Sequence, residues 1–328
     1  MRRQAVAAAV VLSLCLSGDP SFADNASAAA PTSPPAAPAA AAPASPPMDA
    51  AGFRPPPKDS IPPGPYGDMV KLGRDIFRET GTYAQDFVGN KLRCSNCHLD
   101  AGRLPGAAPL WAAWVAFPAY RAKNKHVNTF AERMQGCFRF SMNGKAPPLG
   151  DKVLVALQTY SAWLARGAPV GAELPGRGYP RLAKPASAPD YMRGQSIYQA
   201  KCALCHGPTG QGQSAGGTLV FPPLWGNESF NWGAGMQQVD AAAAFIKRNM
   251  PLGLGGTLSD QDAWDVALFV DSQERPQDPR FNGSVAETRQ KFHNSPWSMY
   301  GESVNGHVLG SPTNPDSPAG QSTRGAAR

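Results

Sequence analysis

Beyond its N-terminus the chain has no apolar run approaching the roughly 20 residues that a membrane crossing needs, so no spanning helix is expected. Strand signals are scarce, which argues against a sheet-based architecture and leaves a mainly α fold. No groove-reading motif of a nucleic-acid-binding protein is present, and a formal charge of +7 does not replace one. Cysteine is scarce as well: there are six in 328 residues, and four of them fall in two close pairs.

Those pairs open identical signatures, Cys94-Ser95-Asn96-Cys97-His98 and Cys202-Ala203-Leu204-Cys205-His206. Two thiols one helical turn apart reach the two vinyl groups of one porphyrin, and the next residue's imidazole then lies under the iron. An isolated CxxC is more often a disulfide, a redox dithiol or half a zinc site. The His adjoining both copies argues against each of these, and a shared zinc site would leave both histidines without a role. Two covalently bound haem c groups are therefore expected, attached at Cys94, Cys97, Cys202 and Cys205, with His98 and His206 as proximal iron ligands.

Arg2 and Arg3, an apolar stretch from Ala5 to Leu16, and Ser21-Phe22-Ala23 read as a cleaved secretory signal, so the protein is expected in the periplasm from about Asp24. Leu14 before Cys15 is too bulky for a lipoprotein signal. The formal charge counts the two signal arginines and omits the haem propionates, so the mature protein is expected to be less basic. Residues 24–65, dominated by Ala, Pro and Ser, read as an extended tether without a core.

The remainder holds two copies of one pattern. Gly73 to Phe77 before the first motif matches Gly194 to Tyr198 before the second, and a Gly four residues ahead of an aromatic suits close helix packing. Pro109-Leu110-Trp111 matches Pro223-Leu224-Trp225, where the Pro carbonyl is expected to accept the axial histidine's second N–H. Each copy closes with a helix. One runs from Asp151 to about Arg166 with Val153, Leu157, Tyr160 and Leu164 on one face. The other runs from Ser259 to about Gln273, capped by Ser259 with Asp262.

The fold expected is two tandem cytochrome c-like domains, 66–167 and 190–275. A Pro/Gly-rich linker, 168–189, joins them, an extension follows over 276–310, and a disordered tail occupies 311–328. The first domain carries insertions: Cys94 follows Phe77 by 17 positions (94 − 77), while Cys202 follows Tyr198 by four (202 − 198). Extra structure around one haem fits a role beyond electron relay.

The sixth ligands separate relay from catalyst. In the second domain Met250, followed by Pro251, is the expected distal ligand ahead of Met236, and a Met ligand raises the haem potential. In the first, Met142 lies at the matching interval (142 − 98 equals 250 − 206), yet Cys137 is left without a disulfide partner in an oxidising compartment. Thr129 with Glu132 reads as a capping box that opens a short helix through Gly136, placing Arg133 one turn before Cys137 and Ser141 one turn after it if helical geometry persists. From Arg121 to Lys145 six cations (Arg121, Lys123, Lys125, Arg133, Arg139, Lys145) face one acid, Glu132, a field that attracts an anion and favours a thiolate.

The stretches Cys94 to Gly102, Arg133 to Gly144 and Phe245 to Pro251 resemble the dihaem thiosulfate dehydrogenases that form tetrathionate, a likeness covering roughly Tyr66 to Gly310. The resemblance implies that Cys137 ligates the active-site haem. It also implies that Arg133, Ser141 and a further cation, Arg121 or Lys123, bind thiosulfate. Two thiosulfates are then joined through their outer sulfurs, with reversal possible. Electrons pass from the Cys/His-ligated haem to the His/Met-ligated one and on to a soluble periplasmic acceptor, a cytochrome c or an iron–sulfur protein. In some relatives a lysine close to the second haem's Met competes with it as a ligand; here Asn249 directly precedes Met250, and Lys247 stands three residues away. The rival readings are a non-catalytic dihaem electron carrier with Met142 and Met250 as distal ligands, and a dihaem peroxidase using His126, His293 or His307.

Overall fold

A computed structural model describes residues 52–122 and 124–312. The signal segment, most of the tether, Lys123 and the tail from residue 313 lie outside them. Pro65 opens helix α1 (Pro65–Arg78) at a position where its missing N–H costs nothing. The short turns α2 (Thr80–Tyr83) and α3 (Leu99–Gly102) flank the first CxxCH motif. They are followed by α4 (Leu110–Trp114), α5 (Phe130–Gly136) and α6 (Lys152–Leu164). The second set is α7 (Tyr191–Lys201), α8 (Ala203–His206), α9 (Val239–Asn249) and α10 (Asp260–Asp271), with α11 (Val285–Phe292) in the extension. Strands among the described residues form three two-stranded antiparallel ribbons. No helix among them is long and apolar enough to cross a membrane.

The two sets share one packing device. A Cβ at Gly73 on α1 would lie 2.1 Å from the Ala156 carbonyl oxygen of α6, and a Cβ at Gly194 on α7 would lie 2.0 Å from the Asp265 oxygen of α10. Only glycine lets the first and last helix of each set touch backbone to backbone. Tyr160 and Phe269, on the partner helices, complete each contact. Ser259 forms the expected reciprocal box with Asp262, and Asp151, read only as a helix start, caps α6 by accepting from Val153 N.

The tether ends earlier than its composition implies. Phe53 is buried against Trp111, ring centroids 5.2 Å apart, and Arg103 donates to the Pro56 carbonyl at 2.6 Å. Phe53 thus seats the end of the tether in the first core.

Polar side chains tie the two sets together. Asn90 Nδ2 donates to the carbonyls of Ser141 (2.9 Å) and Ser229 (3.0 Å), while Asn249 Nδ2 donates to that of Gly106 (3.2 Å). The extension packs on both sets as expected. Tyr300 is buried against Trp232, and the Arg280 guanidinium lies 4.8 Å from the Phe140 ring.

Candidate functional site

Both CxxCH segments are single turns of helix in which the His N–H returns to the carbonyl of the first Cys, at 3.0 Å for His98 and 2.9 Å for His206. The imidazoles are braced alike: His98 Nδ1 lies 2.7 Å from the Ala108 carbonyl, and His206 Nδ1 lies 2.9 Å from that of Pro222. The brace falls one residue before the proline expected from sequence. Pro109 instead caps α4, and its carbonyl accepts from Ala113 N at 3.1 Å. With Nδ1–H committed to a carbonyl, Nε2 keeps its lone pair for a metal. Burial lowers both histidine pKa values, which also favours the neutral ligand form. Burial pushes the thiols of Cys94 up to about 12 and of Cys97 and Cys202 up to about 11.

A cavity of about 260 Å³ carries Cys202, Cys205, His206 and Met250 on a wall otherwise made of apolar side chains such as Leu224, Val266 and Val270. Two thiols, an imidazole and a thioether in an apolar slot are the donor set of a c-type haem, so the residues fit the group. Met236 lines the same cavity. Lys247 is engaged elsewhere, with its ammonium 2.5 Å from the Leu258 carbonyl and 3.0 Å from Asp260. Cys97 and Leu99 of the first motif border the cavity too, so the two attachment segments are neighbours.

Cys137 begins a different kind of turn. The Thr129–Glu132 box caps α5 as expected, but at Cys137–Ser141 the helix widens to a π-turn, closed by Met142 N donating to the Cys137 carbonyl at 2.9 Å. From sequence, Ser141 lies one turn after Cys137 only if helical geometry persists past Gly136. The structure substitutes this five-residue closure, which recurs at functional sites and carries no simple sequence mark. Arg133 Nη1 donates to the Cys137 Sγ at 3.0 Å, and Met142 is buried in the first core. Ser141 is half-buried, and its carbonyl is held by Asn90.

The charges that act on Arg121 come from α5, from Cys137 and from the segment after α6. The Arg121 guanidinium is lowered by burial and then by Arg133 and Arg177, with Cys137 acting in the opposite sense. Arg177 escaped sequence reasoning because it sits in a stretch that reads as linker. So did Tyr179, whose hydroxyl lies 3.5 Å from the Cys97 carbonyl and whose ring lies 5.3 Å from Phe245. The other histidines are held in structural pairs. His293 is buried 2.9 Å from Asp278, His307 bonds Glu274 at 2.8 Å, and His126 bonds Asn128 at 2.6 Å.

This mainly helical chain, with paired CxxCH turns and carbonyl-braced imidazoles, is a c-type cytochrome. Residues 189–270 match the family described as cytochrome C oxidase, cbb3-type, subunit III. A thiosulfate dehydrogenase of Thiomonas intermedia is 58% identical over 301 residues, covering 92% of this chain and 95% of the relative. One of Stutzerimonas stutzeri is 55% identical over 260 residues, covering 79% and 85%. Among solved structures, thiosulfate dehydrogenase (TsdBA) from Marichromatium purpuratum aligns with a TM-score of 0.78 at 53% identity and covers 80% of this chain. This chain spans only 58% of that longer one. The chain belongs to the thiosulfate dehydrogenase family and is a cytochrome c-type oxidoreductase.

Proposed function

We propose that this protein is a periplasmic dihaem enzyme that oxidises thiosulfate to tetrathionate. Two thiosulfate dianions lose one electron each, a bond forms between their outer sulfurs, no bond breaks and no proton moves. The two electrons would be taken up by the bound haems and handed to an external acceptor, a soluble cytochrome c or iron–sulfur protein. The observation that carries this reading is the 3.0 Å bond from Arg133 to the Cys137 sulfur, beside the first CxxCH turn.

Cys94, Cys97, His98 and Cys137 would hold one haem, and Cys202, Cys205, His206 and Met250 the other. When bound, the haems would supply one-electron redox chemistry, the thioether-ligated one at the higher potential. Arg133, bonded to the Cys137 sulfur, offsets the repulsion between two dianions that must approach sulfur to sulfur. A close charge pair is worth about 4 kcal/mol at an effective dielectric near 20, before desolvation and screening. Ser141 supplies a hydroxyl for a sulfonate oxygen, and Arg121 a second cation.

Replacing Cys137 by Ala tests the reading. Thiosulfate oxidation is expected to disappear, together with the thiolate signal in electron paramagnetic resonance of the oxidised holoprotein. A native protein with neither activity nor thiolate signal, whose haem potentials are unchanged in Cys137→Ala, would instead be a dihaem electron carrier with Met142 as the first haem's distal ligand.

A further inference from the structure

A cavity of about 460 Å³ lies between the end of the tether, α1, the first CxxCH turn, α3 and α6, and its lining includes no residue of α5 or of the π-turn that carries Cys137. Five of the lining residues are cations, Lys58, Arg74, Arg78, Arg93 and Arg103, and two, Glu79 and Asp100, are acids. None of the seven takes part in the thiosulfate chemistry above. The walls are fixed by packing. The Tyr160 hydroxyl donates to the Ala101 carbonyl at 2.8 Å, joining α6 to α3, and Tyr160 and Trp163 are each 1% exposed. Arg103 donates to the Pro56 carbonyl of the tether at 2.6 Å, with its Cζ 6.0 Å from the Trp163 ring centroid.

The cavity is short of both negative charge and acceptors. Glu79 is engaged by Arg93 at 3.2 Å, and Asp100 is shared between Lys58 at 2.5 Å and Arg103 at 3.8 Å. Arg74 turns to Asp75 at 2.9 Å. Among the described residues no ion pair or side-chain hydrogen bond engages Arg78, which is exposed. Deeper in the wall, Arg103 Nη1 and Trp163 Nε1 are buried without a hydrogen-bond partner. Cations gathered round one cavity repel each other unless an anion joins them, and guanidinium and indole groups offer donors only. A ligand with two negative charges and several acceptor oxygens meets both shortages.

We propose that this cavity is a second anion site, separate from the thiol, for a doubly charged tetrahedral oxyanion, with inorganic sulfate and thiosulfate as its two sources. Occupancy joins Lys58 of the tether to Arg78 of α1 through one ligand, so the bound protein resists unfolding better than the free one. The site does not depend on whether Cys137 couples thiosulfate.

The test uses the oxidised, haem-loaded full chain, with sodium sulfate titrated by calorimetry and by thermal unfolding against sodium chloride at equal ionic strength. Sulfate is expected to bind and to raise the melting temperature where chloride does not, and both effects are expected to persist in Arg133→Gln. Arg78→Gln is expected to raise the sulfate dissociation constant by about tenfold, the loss of one charge-assisted contact, and Arg78→Lys to recover part of the affinity. Lys71→Gln removes an exposed cation of α1 that does not line the cavity, and is expected to leave sulfate binding unchanged. Equal responses to sulfate and chloride in the native protein would overturn the proposal. So would a sulfate response that Arg78→Gln leaves intact, that Lys71→Gln weakens equally, or that Arg133→Gln abolishes. Competition between thiosulfate and sulfate, measured in Cys137→Ala, identifies thiosulfate as an occupant, and its absence leaves sulfate as the ligand.

Discussion

Asp271 and Arg275 form an ion pair that never meets solvent: both side chains are 0% exposed, with Nη2 and Oδ1 3.2 Å apart. Asp271 Oδ2 and Arg275 Nε have no hydrogen-bond partner. Burial outweighs the mutual attraction on both sides, raising the Asp271 carboxyl to about 7 and lowering the Arg275 guanidinium.

A carboxyl whose pKa rises on folding takes up its proton more readily in the folded state. Its contribution to stability is complete below the unfolded carboxyl pKa, about 3.9, and is lost as pH climbs to about 7. Denaturant titrations across this window are expected to show stability falling with pH in the native protein and a flatter profile in Asp271→Asn. Parallel profiles for the two proteins would refute this.

Asp278 shows the opposite sign. Burial alone would raise its pKa, but bonds from Arg280 (2.6 Å) and buried His293 (2.9 Å) together hold it well below the usual carboxylate range. Its stabilisation is present above the unfolded carboxyl pKa and is lost on acidification below it. Asp278→Ala removes the shared partner of Arg280 and His293 and is expected to cost about 3 kcal/mol at neutral pH. Thermal unfolding at pH 7 and pH 3 checks this, with the deficit shrinking at the lower pH.

Gly194→Ala places a methyl 2.0 Å from the Asp265 carbonyl oxygen, and backbone cannot yield as a side-chain tip does. Separating α7 from α10 is expected to cost about 1–3 kcal/mol. Circular dichroism melts would show it. Gly81→Ala, where nothing lies within 4 Å of the added Cβ, is the control that should barely move.

Legibility followed the range of the interaction. The caps at Thr129 and Ser259 were readable because each bond spans three residues. The Arg133–Cys137 bond was readable because a residue and its fourth neighbour share a helix face. The brace on His98 was missed by one residue, since Pro109 was needed as a helix start. The π-turn at Cys137 was missed because its widening comes from packing. Asn231 Nδ2 donates to the Arg139 carbonyl and Arg280 covers Phe140, both far away in sequence.

What the chain's order of residues decided alone is the chemistry of attachment: paired thiols with an adjoining imidazole, an unpaired Cys137, and an arginine one turn before it. Those relations lie within a turn or two of backbone, where covalent geometry leaves little choice. Only the tertiary structure decided what holds the loop behind the first axial histidine. Residues 176–178 are brought there by hydrogen bonds between residues 70 positions apart (178 − 108), and pairing at that distance is set by burial of Leu174 and the room left at Gly176.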